Sequence, residues 1–214
     1  MSEITAGTGD KITLGGGSTV LQVLRANGGS QVSTVGLPFA TEVRMAIQNT
    51  GLAWYEFATY KGSYAGHPAA RDWNLESMGN TDLGQPLAAP FAGLVITAAD
   101  IGGRIGRVVQ LLGIFPDPLI VVWAGWHLKD ISVVVGQVLQ VGDAIGTIGN
   151  ADGQYSAHLH EQIAVVGGRK YLGIPSPSAF TTDSRYEWVD PLEFYPARGV
   201  DPALVRRMSR KDAK

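Results

Sequence analysis

Two histidines separated by a single residue, His158 and His160, form the pattern in this chain with the clearest chemical meaning. In a β-strand, residues i and i+2 point to the same face, so the two imidazoles would lie side by side. A hydrophobic core has little use for paired imidazoles, whereas imidazole nitrogens bind metal ions and transfer protons near neutral pH. The pair therefore predicts a metal-binding or catalytic site on one face of a strand.

Two further segments place a histidine where such a site could use it. Four residues separate His67 from Asp72, and a turn between them would bring both side chains to one metal. Taken alone, this segment fits a surface histidine beside a turn-capping aspartate better. His127 ends an apolar run beside Trp126, where a catalytic residue and a satisfied core residue fit equally well. The chain has four histidines and no cysteine, so a zinc site would need histidine and carboxylate ligands.

The elements that would position these residues are predicted to be short strands. Glycine is abundant, with 28 residues, and falls at turn-like positions between runs rich in valine, isoleucine, leucine and tryptophan. Such runs occupy residues 94–96, 119–123, 132–135 and 161–165. This pattern is typical of an all-β, mainly antiparallel fold with long loops. Helix signals are few, and they fall at residues 41–50 and 201–207.

Composition divides the chain into three predicted regions. Residues 1–55 are rich in Gly, Ser and Thr, contain no histidine, and are predicted to be an N-terminal extension or docking arm. Residues 56–196 contain all four histidines and are predicted to be the catalytic domain. Residues 197–214 are predicted to be a helical, basic tail. The loop over residues 165–187 is long enough to be functional, although a variable surface loop fits equally well.

Charge and hydropathy exclude some functions. The formal net charge of −2 and the pI near 6.1 provide no basic field to neutralise phosphates, which argues against a nucleic-acid partner. No apolar stretch approaches the roughly 20 residues that a membrane-spanning helix needs. The first residues show no cationic segment followed by an apolar run, so no secretory signal is predicted.

The order and context of the histidine segments resemble the lysostaphin/LytM-type zinc endopeptidases of family M23, which cut bacterial peptidoglycan. That family carries a His-x-x-x-Asp motif, a later His-Leu segment and a final His-Leu-His. Residues 89–95, 141–150 and 189–195 resemble its connecting segments, so the likeness covers roughly residues 60–195. It implies a β groove walled by loops, a Zn²⁺ cofactor and peptidoglycan peptides as substrate. Relatives cut both Gly-Gly bridges and stem-peptide linkages, so the scissile bond stays open.

The resemblance also implies a role for each site residue. His67, Asp72 and His160 would be the zinc ligands. His127 and His158 would flank the metal-bound water and the oxyanion, with either one as the general base.

Three departures from the family pattern leave an alternative open. Four residues rather than three separate the first histidine from Asp72, and Trp126 stands where small residues are usual. Glu161 stands where an apolar residue is common, and strand alternation predicts that it points away from the site. The alternative function is a catalytically degenerate domain with a structural or wall-binding role in a tail assembly.

Peptidoglycan lies outside the membrane, yet no export signal is predicted. A phage product made in the cytoplasm and carried on the virion tail, with residues 1–55 docked onto tail proteins, would reconcile these two points. The alternative is an exported wall enzyme whose leader this sequence does not contain.

Overall fold

A computed structural model describes the fold. It describes residues 2–5, 11–14, 35–38, 54–56, 70–75, 79–115, 119–166, 175–179, 183 and 186–200. The predicted helices at residues 41–50 and 201–207, and His67, lie outside these residues. Within the described ranges, no helix is long and apolar enough to cross a membrane.

Strands dominate the described residues, as the all-β prediction requires. They are β1 Ser2–Thr5, β2 Lys11–Leu14, β3 Trp54–Glu56, β4 Ala70–Leu75, β5 Pro86–Ala88, β6 Gly93–Asp100, β7 Arg107–Ile114, β8 Ile120–Leu128, β9 Asp130–Ile131, β10 Val138–Leu139, β11 Ala144–Thr147, β12 Leu159–Val166 and β13 Glu187–Val189. The described residues also contain one α-helix, α1, Pro191–Ala197.

An eight-stranded antiparallel sheet forms the body of the protein, in the order β10-β6-β7-β8-β12-β4-β3. Strand β13 pairs with β12 beyond the point where β4 ends its own pairing with that strand. A three-stranded sheet of β5, β11 and β9 stands beside it, and β1 pairs with β2. The mainly antiparallel all-β fold is confirmed.

The central strands β6, β7 and β8 are buried along almost their whole length, which explains their nearly continuous apolar sequence. One face of the sheet packs into the main core, where Trp73, Trp123 and Phe194 are large members. On the opposite face, Ala124 and Trp126 of β8 pack with Val108 of β7. The two faces therefore hold different residues of the same strands, and the candidate site lies on the second one.

Helix α1 begins after Asp190, whose carboxylate accepts a hydrogen bond from the backbone N–H of Leu192, with Pro191 at the first helical position. Asp190 also accepts two hydrogen bonds from the Arg71 guanidinium, so it joins the helix to β4. The Asp190-Pro191 pair is itself a helix-start signal, in addition to its place in the segment that resembles the family motif.

The predicted strand at residues 132–135 is wrong. Ser132, Val133 and Val134 form an irregular segment between β9 and β10, and Val134 is 68% exposed. The backbone N–H of Val134 donates to the side-chain oxygen of Gln137 instead of to a strand partner. A run of three valines favours extended backbone, but the hydrogen bonds here close a turn around Gly136.

Gly149 packs the backbone of two histidine-bearing segments together. Its carbonyl accepts a hydrogen bond from the backbone N–H of His158, and a Cβ placed on it would overlap the carbonyl oxygen of His127. We therefore expect Gly149→Ala to lower the free energy of unfolding by about 1–3 kcal/mol, as overpacking does, and to reduce activity by separating these histidines.

Gly136→Ala is the control for that variant. Gly136 has a positive φ but open space around it, so alanine there adds backbone strain without touching the histidines. Denaturant unfolding and a hydrolysis assay on both variants check the expectation. Wild-type stability and activity in Gly149→Ala would contradict it.

Candidate active site

A row of three side chains crosses neighbouring strands on one face of the sheet. His160 on β12 pairs in register with Asp72 on β4 and with Trp126 on β8. Because residues directly opposite each other share a face, the three side chains lie side by side. Nδ1 of His160 lies 2.6 Å from Oδ1 of Asp72. The indole of Trp126 stacks on the other side of the His160 ring, with centroids 4.7 Å apart.

His158 joins this row from the residue just before β12. Its Nδ1 lies 2.7 Å from the carbonyl oxygen of Ser156. A carbonyl can only accept, so Nδ1 is the donor in this contact. That Nε2 lies 3.8 Å from Oδ1 of Asp72. The predicted pairing of His158 and His160 on one face therefore agrees with the geometry.

His127 reaches the same site by a different route. Trp126 and His127 both lie opposite the single residue Val108, because the register between β7 and β8 shifts there. His127 also has a φ of 66°, in the left-handed region that few non-glycine residues adopt. Strand alternation would place Trp126 and His127 on opposite faces, whereas the bulge brings both rings next to His160, at 4.7 and 5.7 Å.

The His127 ring is held from behind by the backbone. Its Nδ1 lies 3.1 Å from the carbonyl oxygen of Ile105, so here too Nδ1 donates and Nε2 keeps its lone pair. The ring centroid lies 4.6 Å from that of His158. The imidazoles of His127 and His158 therefore lie together beside the pair formed by Asp72 and His160.

Tyr155 is a site residue that the sequence analysis missed. Its ring lies 5.0 Å from His127 and 5.7 Å from His158, centroid to centroid. It precedes His158 by three positions in an irregular segment, where strand periodicity gives no prediction. Its closeness to the histidine motif in sequence was the only signal available.

The site holds its carboxylate ionised and one histidine neutral. Burial alone would raise the pKa of Asp72, but the charge and hydrogen bond of His160, with smaller effects from His158 and His127, lower it to about 2. The pKa of His127 is lowered to about 3, and burial is the largest cause. The imidazoles of His158 and His160 also lower this pKa, each by more than Asp72 raises it. At neutral pH, Asp72 is therefore an anion and His127 is uncharged.

Among the described residues, no three His, Cys, Asp or Glu side chains stand as a ready-made set of metal ligands. Asp72 and His160 nevertheless supply one carboxylate oxygen and one imidazole nitrogen, both of which are donor types that zinc accepts. The two atoms are in hydrogen-bond contact, and each could bind a metal ion once the proton between them has left. The donor set therefore fits a metal, with His67 as the sequence-predicted third ligand outside the described residues.

Behind the site, Glu161 lies on the opposite face of β12 and is fully buried. Its carboxylate accepts hydrogen bonds from the indole N–H groups of Trp73 and Trp123, at 2.7 and 2.6 Å, and from the hydroxyl of Tyr195. These donors come from β4, β8 and α1. This set of four residues, which we call the Glu161 hub, joins the strands that carry Asp72, His127 and His160. The prediction that Glu161 points away from the site agrees with this geometry.

The Glu161 hub predicts a pH dependence of stability. Burial raises the pKa of Glu161 to about 7 from an ordinary value of 4.5, although its three donors oppose the shift. The folded protein therefore binds more protons than the unfolded chain between these values. The contribution of Glu161 to stability is complete below about pH 4.5 and is lost as the pH rises through about 7.

Unfolding free energies at several pH values, for wild type and Glu161→Gln, would test this dependence. We expect the difference between the two proteins to change across the window from pH 4.5 to 7. A constant difference across that window would contradict it.

An ionised carboxylate and three imidazoles on one face of an antiparallel sheet define a site suited to metal-assisted and acid–base hydrolysis. Residues 78–171 match the family model described as Peptidase family M23. This segment of the chain belongs to that peptidase family, as the sequence motifs predicted. No curated protein matches the chain in sequence.

Solved structures similar to this chain include three peptidases. Lysostaphin from Staphylococcus simulans is 21% identical over 76% of this chain and 54% of its own, with a TM-score of 0.48. The catalytic domain of the prophage-encoded M23 protein EnpA from Enterococcus faecalis is 16% identical over 64% and 88%, with a TM-score of 0.45. A zinc-containing peptidase from Vibrio cholerae is 18% identical over 63% and 37%, with a TM-score of 0.45. This chain spans about half the length of the lysostaphin structures it matches.

Proposed function

We propose that this protein is a zinc-dependent endopeptidase that hydrolyses peptide cross-links of bacterial peptidoglycan. The observation that carries the proposal is the contact between Asp72 and His160, with His127 and His158 beside it. Membership of residues 78–171 in a peptidase family supports the reaction type. Peptidoglycan as the substrate rests on the motif resemblance.

Asp72 and His160 would hold the metal through Oδ1 and Nδ1, with His67 as a third ligand. A bound zinc ion would lower the pKa of a water molecule and polarise the scissile carbonyl. His158 is the better placed proton acceptor, because its Nε2 faces the pair and lies 3.8 Å from Asp72 Oδ1. His127 stays neutral at working pH and is the poorer proton acceptor, so we assign it to orienting and hydrogen bonding within the site.

Metal content and hydrolysis together test this proposal. We expect about one zinc per chain in the purified wild type and cleavage of wall peptides that a chelator abolishes. Asp72→Asn should lose both the zinc and the activity. The matched control is Asp152→Asn, since Asp152 is an exposed carboxylate in a surface ion pair with Arg107. The proposal would be contradicted if the wild type takes up no zinc, or if the Asp72→Asn protein cleaves as fast as the wild type.

One observation favours the alternative function, in which the domain binds the cell wall without catalysis. Four residues separate His67 from Asp72, one more than in the family motif. The alternative predicts a protein that sediments with purified cell walls yet releases no peptides after incubation with zinc. Chelator-sensitive release of peptides by the zinc-loaded protein would exclude it.

Association with a phage tail through residues 1–55, and the three-region division of the chain, remain predictions. Mass spectrometry of purified virions tests the first. If this protein were absent from the virions, that result would count against tail association. Limited proteolysis tests the second, with cleavage expected close to the predicted boundaries but outside β3 and α1, whose backbones are hydrogen-bonded.

A further inference from the structure

The imidazole of His160 has one tethered nitrogen and one without a partner. Its Nδ1 lies 2.6 Å from Oδ1 of Asp72. Its Nε2 is buried and has no hydrogen-bond partner among the described residues. A histidine that binds a metal almost always donates its other ring N–H to a carboxylate, a carbonyl or water, which fixes the orientation of the ring. Within the described part of the chain, the His160 ring is therefore oriented by something other than a hydrogen bond at Nε2.

The indole of Trp126 is the flat surface on which this ring lies. The two ring planes are 29° apart and their centroids are 4.7 Å apart, which is the geometry of an offset stack. The ring of His127 is also close to His160, but it is tilted by 55° at 5.7 Å and does not lie flat on it. Trp126 and Asp72 come from the two strands that flank β12, so the imidazole is held between them.

Trp126 is itself fixed in place. It is only 3% exposed and packs with the buried side chains of Val108 and Ala124. Ile101 and Ile105, which are partly buried, pack against the same cluster. Trp126 also stands where small residues are usual in the family, so this contact belongs to the present chain. Because its neighbours leave it little freedom, the indole can act as a rigid support for the imidazole.

The stack matters most when the hydrogen bond to Asp72 is absent. A ring nitrogen that binds a metal cannot carry a proton, so Nδ1 of His160 cannot then donate to Asp72. The contact with Trp126 uses neither ring nitrogen, and it therefore persists in both states. A ring that is already held in its plane loses less conformational freedom on binding, and such preorganised ligands bind more tightly.

We propose that Trp126 is a positioning residue that holds the imidazole of His160 in the orientation required for metal binding. The inference rests on the proposed function, since it takes Asp72 and His160 to be metal ligands. It adds to that function a residue outside the ligand set that tunes metal affinity. A purely structural Trp126 would instead stabilise the fold and leave the zinc affinity of the folded protein unchanged.

Trp126→Leu tests this role, because leucine is apolar but offers no flat face. We expect the Kd for zinc, measured on the folded protein by competition with a chelator, to rise about tenfold. Trp126→Phe keeps an aromatic face and should bind zinc nearly as tightly as the wild type. The visible absorption of the cobalt-substituted protein reports coordination geometry, and it should change in Trp126→Leu but not in Trp126→Phe.

Trp188→Leu is the matched control. Trp188 lines the same cavity as Trp126, and its indole N–H donates to the carbonyl oxygen of Asp183 at 2.9 Å. Its ring contacts Tyr186 rather than a histidine. Both leucine variants remove a packed indole, so both should lower the Tm. Only Trp126→Leu should also weaken zinc binding.

Two outcomes would overturn the role of Trp126. An equal Kd for zinc in the wild type and in folded Trp126→Leu would mean that the indole only fills space. An equal loss of affinity in Trp126→Leu and Trp126→Phe would mean that the aromatic face is not what supports His160. If Trp126→Leu does not fold, Trp126→Met takes its place in the same comparisons, because methionine adapts to irregular gaps.

Failure of the proposed function gives a different result. If the wild type takes up no zinc, NMR relaxation of the His160 ring in the metal-free protein replaces the affinity measurement. The inference then expects this ring to be more mobile in Trp126→Leu than in the wild type and in Trp126→Phe, and equal mobility would overturn it. A wild type that cleaves wall peptides and binds zinc no more tightly than Trp126→Leu would instead refute the inference and leave the proposed function standing.

Discussion

Glu161→Leu is expected to lower the free energy of unfolding by about 3–5 kcal/mol, the range measured when one partner of a buried charged network is removed. The reason is that the substitution takes away the acceptor shared by Trp73, Trp123 and Tyr195. Each buried donor that loses its acceptor costs about 1–3 kcal/mol. The gain from no longer burying a carboxylate offsets part of this cost.

Urea unfolding of Glu161→Leu, Glu161→Gln and Tyr195→Phe would measure the effect. Glutamine keeps one oxygen acceptor but turns an amide N–H₂ toward a donor, so its effect should be intermediate. Tyr195→Phe removes one donor and leaves the carboxylate with two, so its effect should be the smallest, about 1 kcal/mol. If Glu161→Leu were as stable as wild type, the Glu161 hub would not be what holds β4, β8 and β12 together.

His158→Ala is expected to lower kcat by about 10²–10⁴-fold, the usual contribution of a positioned proton-transfer group, while the protein retains its zinc. His127→Ala should cost less, because burial holds the pKa of His127 at about 3 and its imidazole is a weak proton acceptor near neutral pH. Both side chains lie beside the pair of Asp72 and His160 without being part of it.

Single-turnover hydrolysis with metal analysis on the same samples checks this ranking. His158→Gln is the control for shape, since glutamine can still donate to the Ser156 carbonyl but cannot accept a proton as a base. We expect it to lose nearly as much activity as His158→Ala. A larger loss in His127→Ala than in His158→Ala would reverse the assigned roles.

The features that could be predicted from the sequence are those that depend on strand periodicity, namely the face of the strand on which each side chain lies. The two-residue spacing of His158 and His160 indicated a shared face, and the alternation placed Glu161 on the other side. Both predictions use only local geometry, which neighbouring residues in a strand determine. The family resemblance covered roughly residues 60–195, and the family model confirms it over residues 78–171, a segment that does not include His67 or Asp72.

Features that depend on pairing between distant strands could not be predicted in this way. The bulge that turns His127 toward His160 arises from a register shift between β7 and β8. The sequence around His127 contains no signal from which this bulge could be predicted. The three donors to Glu161 lie 34, 38 and 88 positions away in sequence. Tyr155 lies in an irregular segment, where neither period applies.

The separation between Asp72 and His160 has a kinetic consequence. These contacting residues are 88 positions apart, and contacts at such separation must overcome a large loop-closure entropy before they form. A one-residue slip of β12 would also exchange His160 with Glu161 and ruin the site and the core together. During refolding, strand content should therefore return before activity, and hydrolysis would report only those molecules whose central sheet has closed in the correct register.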